Sequence, residues 1–347
     1  MIRRYAVGES VGRRTAPAWR AAAAARQPHA APARCLGGVL GPGVGCAPVM
    51  LVAANPTLRS KLGAYVALMK PRIIELLLVT TVPVQIVAAE GLPSLWLVLT
   101  TVVGGTLAAG GAHAVNMYVD RDIDRLMART QDRPLVTGVI EPRNALVFAV
   151  TLEVAAFVLL WTTVNLLSAV LAVSACLFYV FVYTLWLKRT SRQNIVIGGA
   201  AGAVPVLIGW SSVTGTLDWA PVVLFAVIFT WTPPHFWALA VKYKDDYAAA
   251  EVPMLPAVAD ARTTGRQIVA YTVVTWALTL LFAPVAGMGA IYVLAAVVLG
   301  AIFTVEAVRL HQQQTTKQAM RLFGWSISYV ALLFGAMALD QLVRTGI

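Results

Sequence analysis

The segment HAVNMYVDRDID, His113 to Asp124, sets three oxygen-bearing side chains four residues apart: Asn116, Asp120 and Asp124. Successive helical residues turn by about 100°, so with Asp120 at zero, Asn116 lies at about −40°, Asp124 at about +40° and His113 at about +20°. Arg121, Arg125 and Arg129 gather at about 100° to 180°. One face of such a helix is acidic and the other basic. A salt-bridged, solvated helix end sets opposite charges four apart, whereas here like faces like. Two carboxylates about 6 Å apart repel by roughly 3 kcal/mol at an effective dielectric of about 20, and something has to offset that. A hard divalent cation does so: Mg²⁺ takes one or two carboxylates and leaves its other positions to water and phosphate oxygens. Asn116 adds an amide oxygen without a further charge. The spacing reads as a seat for a magnesium-bound diphosphate. An ordinary charged helix end stays open as its rival on spacing alone.

A second charged group follows in TPPHFWALAVKYKDDYAAAEVPMLP, where Lys242, Lys244, Asp245 and Asp246 gather. These residues offer another metal ligand and cations for phosphate oxygens, though taken alone KYKDD also describes a snorkelling membrane interface. Arg133 in TQDRPL and Lys188 after YTLW are further cations, and each doubles as an ordinary anchor on the basic side of a membrane. His113 and His235 stand beside the two acidic groups, where a histidine is most often a hydrogen-bonded packing residue.

The elements that must position these residues are membrane helices. The 347 residues are 59% hydrophobic and 12% charged, with a mean hydropathy of +0.74, against roughly 25% charged for soluble domains. Apolar stretches long enough to cross about 30 Å of hydrocarbon fall at 73–89, 95–115, 145–162, 166–187, 195–213, 219–240, 268–285, 290–308 and 322–343. The expected architecture is an all-α bundle of nine transmembrane helices. The net charge of +11 is no nucleic-acid footprint: eleven basic residues precede Ile73, fifteen lie in four later connections, and Arg344 is the last. Those four connections, 116–144, 188–194, 241–267 and 309–321, alternate with ones near Glu90, Asn165, Asp218 and Met288 that hold no Lys or Arg. Basic loops stay cytoplasmic, so the expected N-terminus and the mouth of the active site are cytoplasmic and the C-terminus is outside.

Residues 1–55 are rich in Ala, Arg, Gly and Pro with Glu9 as their only acid, a composition that cannot bury a core and reads as a disordered tail. It also describes a mitochondrial transit peptide. The domain proper is expected over 56–347. Cys35, Cys46 and Cys176 have no metal-ligand spacing, and no disulfide framework or zinc site is expected.

Four blocks, MKPRIIELLLVTTVP, NMYVDRDIDRLMARTQDRPL, YTLWLKRTSRQNIVIGGAAGAVPVLIGW and TWTPPHFWALAVKYKDDYAAAEVPMLP, carry a family likeness together with the nine-span plan. From about Met69 onward the chain resembles the UbiA-type intramembrane prenyltransferases, and among them the branch that modifies haem. The resemblance implies that Asn116, Asp120 and Asp124 hold Mg²⁺ on farnesyl diphosphate, with Arg133, Lys188, Lys242, Lys244 and Arg72 binding the diphosphate. It implies transfer of farnesyl to a vinyl group of haem B with addition of water, giving haem O, which a haem A synthase would take further. His113 and His235 gain a second reading as ligands of haem iron. One departure stands out: the second motif is often D-x-x-x-D, yet the residues four before and four after Asp246 are Lys242 and Ala250. Asp246, with Asp245 as its alternate, is the candidate for a second metal cluster. A bacterial inner membrane is the expected location, a mitochondrial inner membrane the alternative. A quinone-type aromatic prenyltransferase of the same superfamily and a secondary transporter are the competing readings, although transporters carry their acids at the midplane rather than at the ends of the spans.

Overall fold

The computed structural model describes residues 58–346. The expectations for the tail over 1–55, including Cys35 and Cys46, lie outside the described residues, as does the side chain of Arg72. Among the described residues every regular element is helical, with no strand. In chain order these are α1 (Leu58–Met69), α2 (Pro71–Ala88), α3 (Leu95–Asp124), α4 (Pro142–Thr163), α5 (Leu166–Thr190), α6 (Asn194–Thr214) and α7 (Trp219–Lys242). The short α8 (Lys244–Ala249) and α9 (Leu255–Val258) precede α10 (Ala261–Val285), α11 (Ala290–Gln313) and α12 (Thr316–Thr345).

Eight of these helices are long and apolar enough to cross a membrane, and each of the nine apolar stretches read from the sequence falls on a helix. The remaining one, α2, contributes the apolar run Val79–Ala88. The outer surface agrees with a lipid solvent: Val103, Val147, Val150, Val154, Trp161, Phe181 and Leu332 are all exposed, an apolar cover that water would not tolerate on this scale. The protein is a multi-pass membrane protein. The apolar windows of α7 and α6 are 67% and 61% buried, against 28% for α4, α5 and α10. So α6 and α7 form the centre, and the other helices stand around them.

Lipid tails are as apolar as leucine, so helices associate here through close packing and internal polar contacts rather than by escaping water. On α3 a Cβ on Gly111 would come within 2.9 Å of the Ala149 carbonyl of α4, and on α6 one at Gly209 would come within 2.7 Å of the Thr81 carbonyl of α2. Only glycine permits these approaches. Side-chain caps from Ser94, Asn165, Asp218, Asp260 and Thr315 start α3, α5, α7, α10 and α12, satisfying amide donors that hydrocarbon would leave bare.

Two buried acids are explained by the same need. Glu306 on α11 accepts from Arg309 at 2.7 Å and from Gln318 of α12 at 2.7 Å, and pairs with Arg321 at 3.1 Å. Asp340, near the end of α12, accepts from the backbone amides of Gly289, Ile291 and Tyr292 at 2.5, 3.0 and 3.2 Å. It caps the start of α11 from 49 residues away in sequence, where a negative charge also meets the positive end of the helix dipole. Asp340→Ala is therefore expected to cost about 3 kcal/mol of stability, against about 1 kcal/mol for Asp218→Ala, which removes a single local cap. Thermal unfolding of the detergent-solubilised protein followed by circular dichroism checks the ordering.

Candidate active site at the inner end of α3

Helix α3 runs as far as Asp124, so the three candidate ligands do share one helical face. That face points inward: Asn116, Asp120 and Asp124 are 3%, 0% and 2% exposed. Asn116 Nδ2 donates to Asp120 Oδ2 at 2.7 Å and to Thr184 Oγ1 at 3.2 Å. Each of the three then meets a cation from a different part of the chain. Lys70 Nζ donates to Asn116 Oδ1 at 2.9 Å. Lys188 Nζ donates to Asp120 Oδ2 through a very short contact. Arg133 Nη1 donates to Asp124 Oδ2 at 2.6 Å.

This arrangement corrects the electrostatic argument drawn from spacing. The repulsion between Asp120 and Asp124 is offset by Lys188 and Arg133, so it does not by itself demand a metal ion. The expected basic face of α3 does not form either, because the helix stops at Asp124. Arg121 folds back on its own turn, donating to the Tyr118 carbonyl at 2.6 Å. Arg125 is exposed. Arg129 stands 5.3 Å over the Tyr243 ring.

Whether the residues fit Mg²⁺ is a question about their oxygens. The donor set is all oxygen, with two carboxylates and an amide, as a hard cation prefers. Asp120 Oδ1 is buried without a hydrogen-bond partner, and Arg189 Nη2 stands 3.8 Å from it, a guanidinium already doubly bonded to Asp122 at 2.7 Å. A buried carboxylate oxygen that accepts no hydrogen bond is costly and suits a cation. The site fits the ion. Among the described residues no group of three His, Cys, Asp or Glu side chains forms a metal cluster, so the amide of Asn116 is needed to complete the set.

Lys70 was not among the residues singled out from the sequence. It lies between α1 and α2 in the left-handed backbone region, φ 56° and ψ 61°, where a non-glycine residue costs roughly 1 to 2 kcal/mol. Strain of this kind persists where surroundings over-determine it, often at functional sites. Burial, then the nearby charges of Arg133 and Lys188, bring its ammonium down to about 7 against the opposing pull of Asp120 and Asp124. The site is thus crowded with positive charge, and a bound anion would relieve it. The available signal was the K-P pair that opens α2, in the block from which the neighbouring Arg72 was chosen.

Thr184 is the second residue missed. It reaches Asn116 because α5 unwinds into a π-helix over Phe178–Leu187, where its hydroxyl donates to the carbonyl of Tyr179 at 2.9 Å. Wide turns of this kind are frequent at functional sites. The same segment stacks Tyr179 on Tyr183 with centroids 5.3 Å apart, and Tyr179 meets the edge of His113 at 5.8 Å. His113 is buried with neither ring nitrogen hydrogen-bonded.

The second charged group is arranged differently. Asp246 accepts from the Arg129 amide at 3.4 Å, which ties α8 to the loop after α3. Asp245, Lys242 and Lys244 are exposed. Lys242 Nζ stands 5.3 Å over the ring of Tyr243. Lys244 lines a separate cleft of about 190 Å³ with Val241, Thr264, Gly265, Ile268 and Gln314. His235 stacks between Trp231 at 4.4 Å and Phe323 at 4.7 Å and is hydrogen-bonded to Ser326 Oγ at 2.7 Å, the surroundings of a packing residue. The structure therefore joins Asn116, Asp120, Asp124, Arg133 and Lys188 of the expected set, adds Lys70 and Thr184, and leaves Lys242, Lys244 and Asp245 apart.

Comparison with known proteins identifies the family. Residues 77–334 match the model of the UbiA prenyltransferase family. A protoheme IX farnesyltransferase of Clavibacter michiganensis is 56% identical over 286 residues, covering 82% of this chain and 94% of that protein. One from Streptomyces avermitilis is 54% identical over 291 residues, covering 82% and 95%. Among solved structures, digeranylgeranylglyceryl phosphate synthase superposes with a TM-score of 0.67 at 17% identity, covering 82% of this chain and 99% of that one. A UbiA homologue from Archaeoglobus fulgidus bound to GPP and Mg²⁺ gives 0.57 at 16% identity, covering 79% and 99%. At those identities the structures speak for the fold alone. With the family model matched over most of the domain and relatives more than half identical along nearly their whole length, this chain belongs to the UbiA prenyltransferase family.

Proposed function

We propose that this protein transfers the farnesyl group of farnesyl diphosphate to a vinyl group of haem B, with addition of water, releasing diphosphate and haem O. The observation that carries the reading is the buried Asn116, Asp120 and Asp124 face with an Asp120 oxygen that accepts no hydrogen bond; the names of the relatives support the choice of substrates. Bound Mg²⁺ would supply charge neutralisation for the departing diphosphate. Asn116, Asp120 and Asp124 are assigned as its ligands, with Asp246 at the edge through Arg129. Arg133 and Lys188 are assigned to the phosphate oxygens, where fixed cations stabilise charge as it develops.

When the carbon–oxygen bond of the farnesyl diphosphate breaks, an allylic cation is left that must not meet water early. Tyr179 and Tyr183 present stacked ring faces next to the ligands, and a cation is attracted to such faces. The new carbon–carbon bond forms at the terminal vinyl carbon. Water then adds at the inner vinyl carbon and loses a proton. Of the two histidines, His113 is favoured for haem iron, since its ring nitrogens carry no hydrogen bond while His235 is held by Ser326 and three aromatic rings. The product would pass to a haem A synthase. With α2 counted as the ninth span, the basic connections lie on the cytoplasmic side of a bacterial inner membrane and the site opens there.

The test is mass analysis of haem extracted from cells expressing the chain or its variants. Asp120→Asn and Asp124→Asn are each expected to lower haem O at least about a hundredfold with membrane insertion unchanged. Prenylation of an aromatic acid with no haem product would reject the haem reading. In the same assay Lys244→Ala is expected to stay within about twofold of the parent, as an exposed charge is screened by salt, while Lys188→Ala loses most of the activity.

A further inference from the structure

Each side chain of the N-x-x-x-D-x-x-x-D element already holds a cation of the protein's own. Lys70 sits on Asn116 Oδ1, Lys188 on Asp120 Oδ2 and Arg133 on Asp124 Oδ2. The three cations belong to the turn between α1 and α2, the end of α5 and the loop after α3. Against them stand two carboxylates, each already answered by Lys188 or Arg133, so little attraction is left over for a bare divalent ion. A diphosphate alone fares little better, because the cations it needs are already paired with Asn116, Asp120 and Asp124. A magnesium-bound diphosphate satisfies both halves at once: oxygens for the metal and cations for the phosphates.

We propose that Lys70, Lys188 and Arg133 exchange partners when substrate enters, leaving Asn116, Asp120 and Asp124 for phosphate oxygens, so that metal and diphosphate bind as a coupled pair. The inference rests on the assignment of the site made above and adds Lys70 to the diphosphate-binding residues. The strained backbone at Lys70 supports it, since the turn is held in a left-handed conformation that brings its ammonium across 46 residues of sequence to α3. Lys70 competes with the metal for Asn116 in one state and serves the anion in the other. Its removal therefore has two effects of opposite sign.

The test uses the purified full chain in lipid nanodiscs, with Mn²⁺ as a paramagnetic probe in place of Mg²⁺ and inorganic pyrophosphate as the anion. Three titrations are compared: Mn²⁺ alone, pyrophosphate with a chelator, and the preformed Mn²⁺-pyrophosphate complex, read by electron paramagnetic resonance and calorimetry. The complex is expected to bind at least about tenfold more tightly than either component, a coupling of ordinary size. Lys70→Met is expected to tighten Mn²⁺ alone several-fold and to weaken the complex by about tenfold, with Lys70→Arg restoring the parent behaviour. If Mn²⁺ alone binds the parent as tightly as the complex does, partner exchange is wrong while the metal site stands. If none of the three binds, the assignment of the site falls and this inference with it. If Lys70→Met binds all three as the parent does, Lys70 has no part in the exchange. Should Lys70→Met fail to fold, as judged by its thermal melt, Lys188→Met read in the same way decides the exchange.

Discussion

Two carboxylates withdrawn from solvent at the end of a membrane helix are the constraint around which this protein is organised. Asp120 and Asp124 are almost fully buried, and an ion so placed costs several kcal/mol unless it is paired and hydrogen-bonded. The pairing comes from Lys188 and Arg133, with Lys70 on the neighbouring amide. Those cations are dispersed over more than a hundred residues, so the turn before α2, the loop after α3 and the end of α5 must converge on one helical face. The π-helical stretch of α5 follows from the same demand, because it brings Thr184 to Asn116 and leaves Lys188 one residue beyond its end.

Hydrocarbon as solvent shapes the remainder. Apolar side chains cover the outside, while the inside is held by glycine contacts, by threonine hydroxyls returned to their own helix carbonyls as at Thr272 and Thr279, and by caps that reach between helices, as Asp340 does for α11. Such caps matter more here than in a soluble bundle, because unsatisfied amides have no water to turn to.

The site also divides its chemistry by depth along α3. Charged groups gather over the last three turns of the helix, where the diphosphate is proposed to sit, and one turn deeper His113 and the stacked tyrosines begin an aromatic and apolar interior. A substrate with a polar head and a hydrocarbon tail is matched by that division. Each end meets surroundings that would be unfavourable for the other.

The sequence by itself determined the membrane class, the positions of the apolar helices, the oxygen face of α3 and the family. These are local or compositional properties: hydrophobic length, the 100° turn of a helix and short motifs are all written into neighbouring residues. What only the tertiary structure decided is which cations answer which oxygens. From the sequence, Lys242 and Lys244 looked as good as Lys188, and Arg72 better than Lys70. The convergence of Lys70, Lys188 and Arg133 depends on three long-range approaches, one of them through a strained turn and another through a π-helix, and no local pattern encodes those. The loss of the expected basic face on α3 has the same origin. Side chains beyond Asp124 take their positions from whatever the folded chain brings to them, as Arg129 does from Tyr243, and not from the helical wheel.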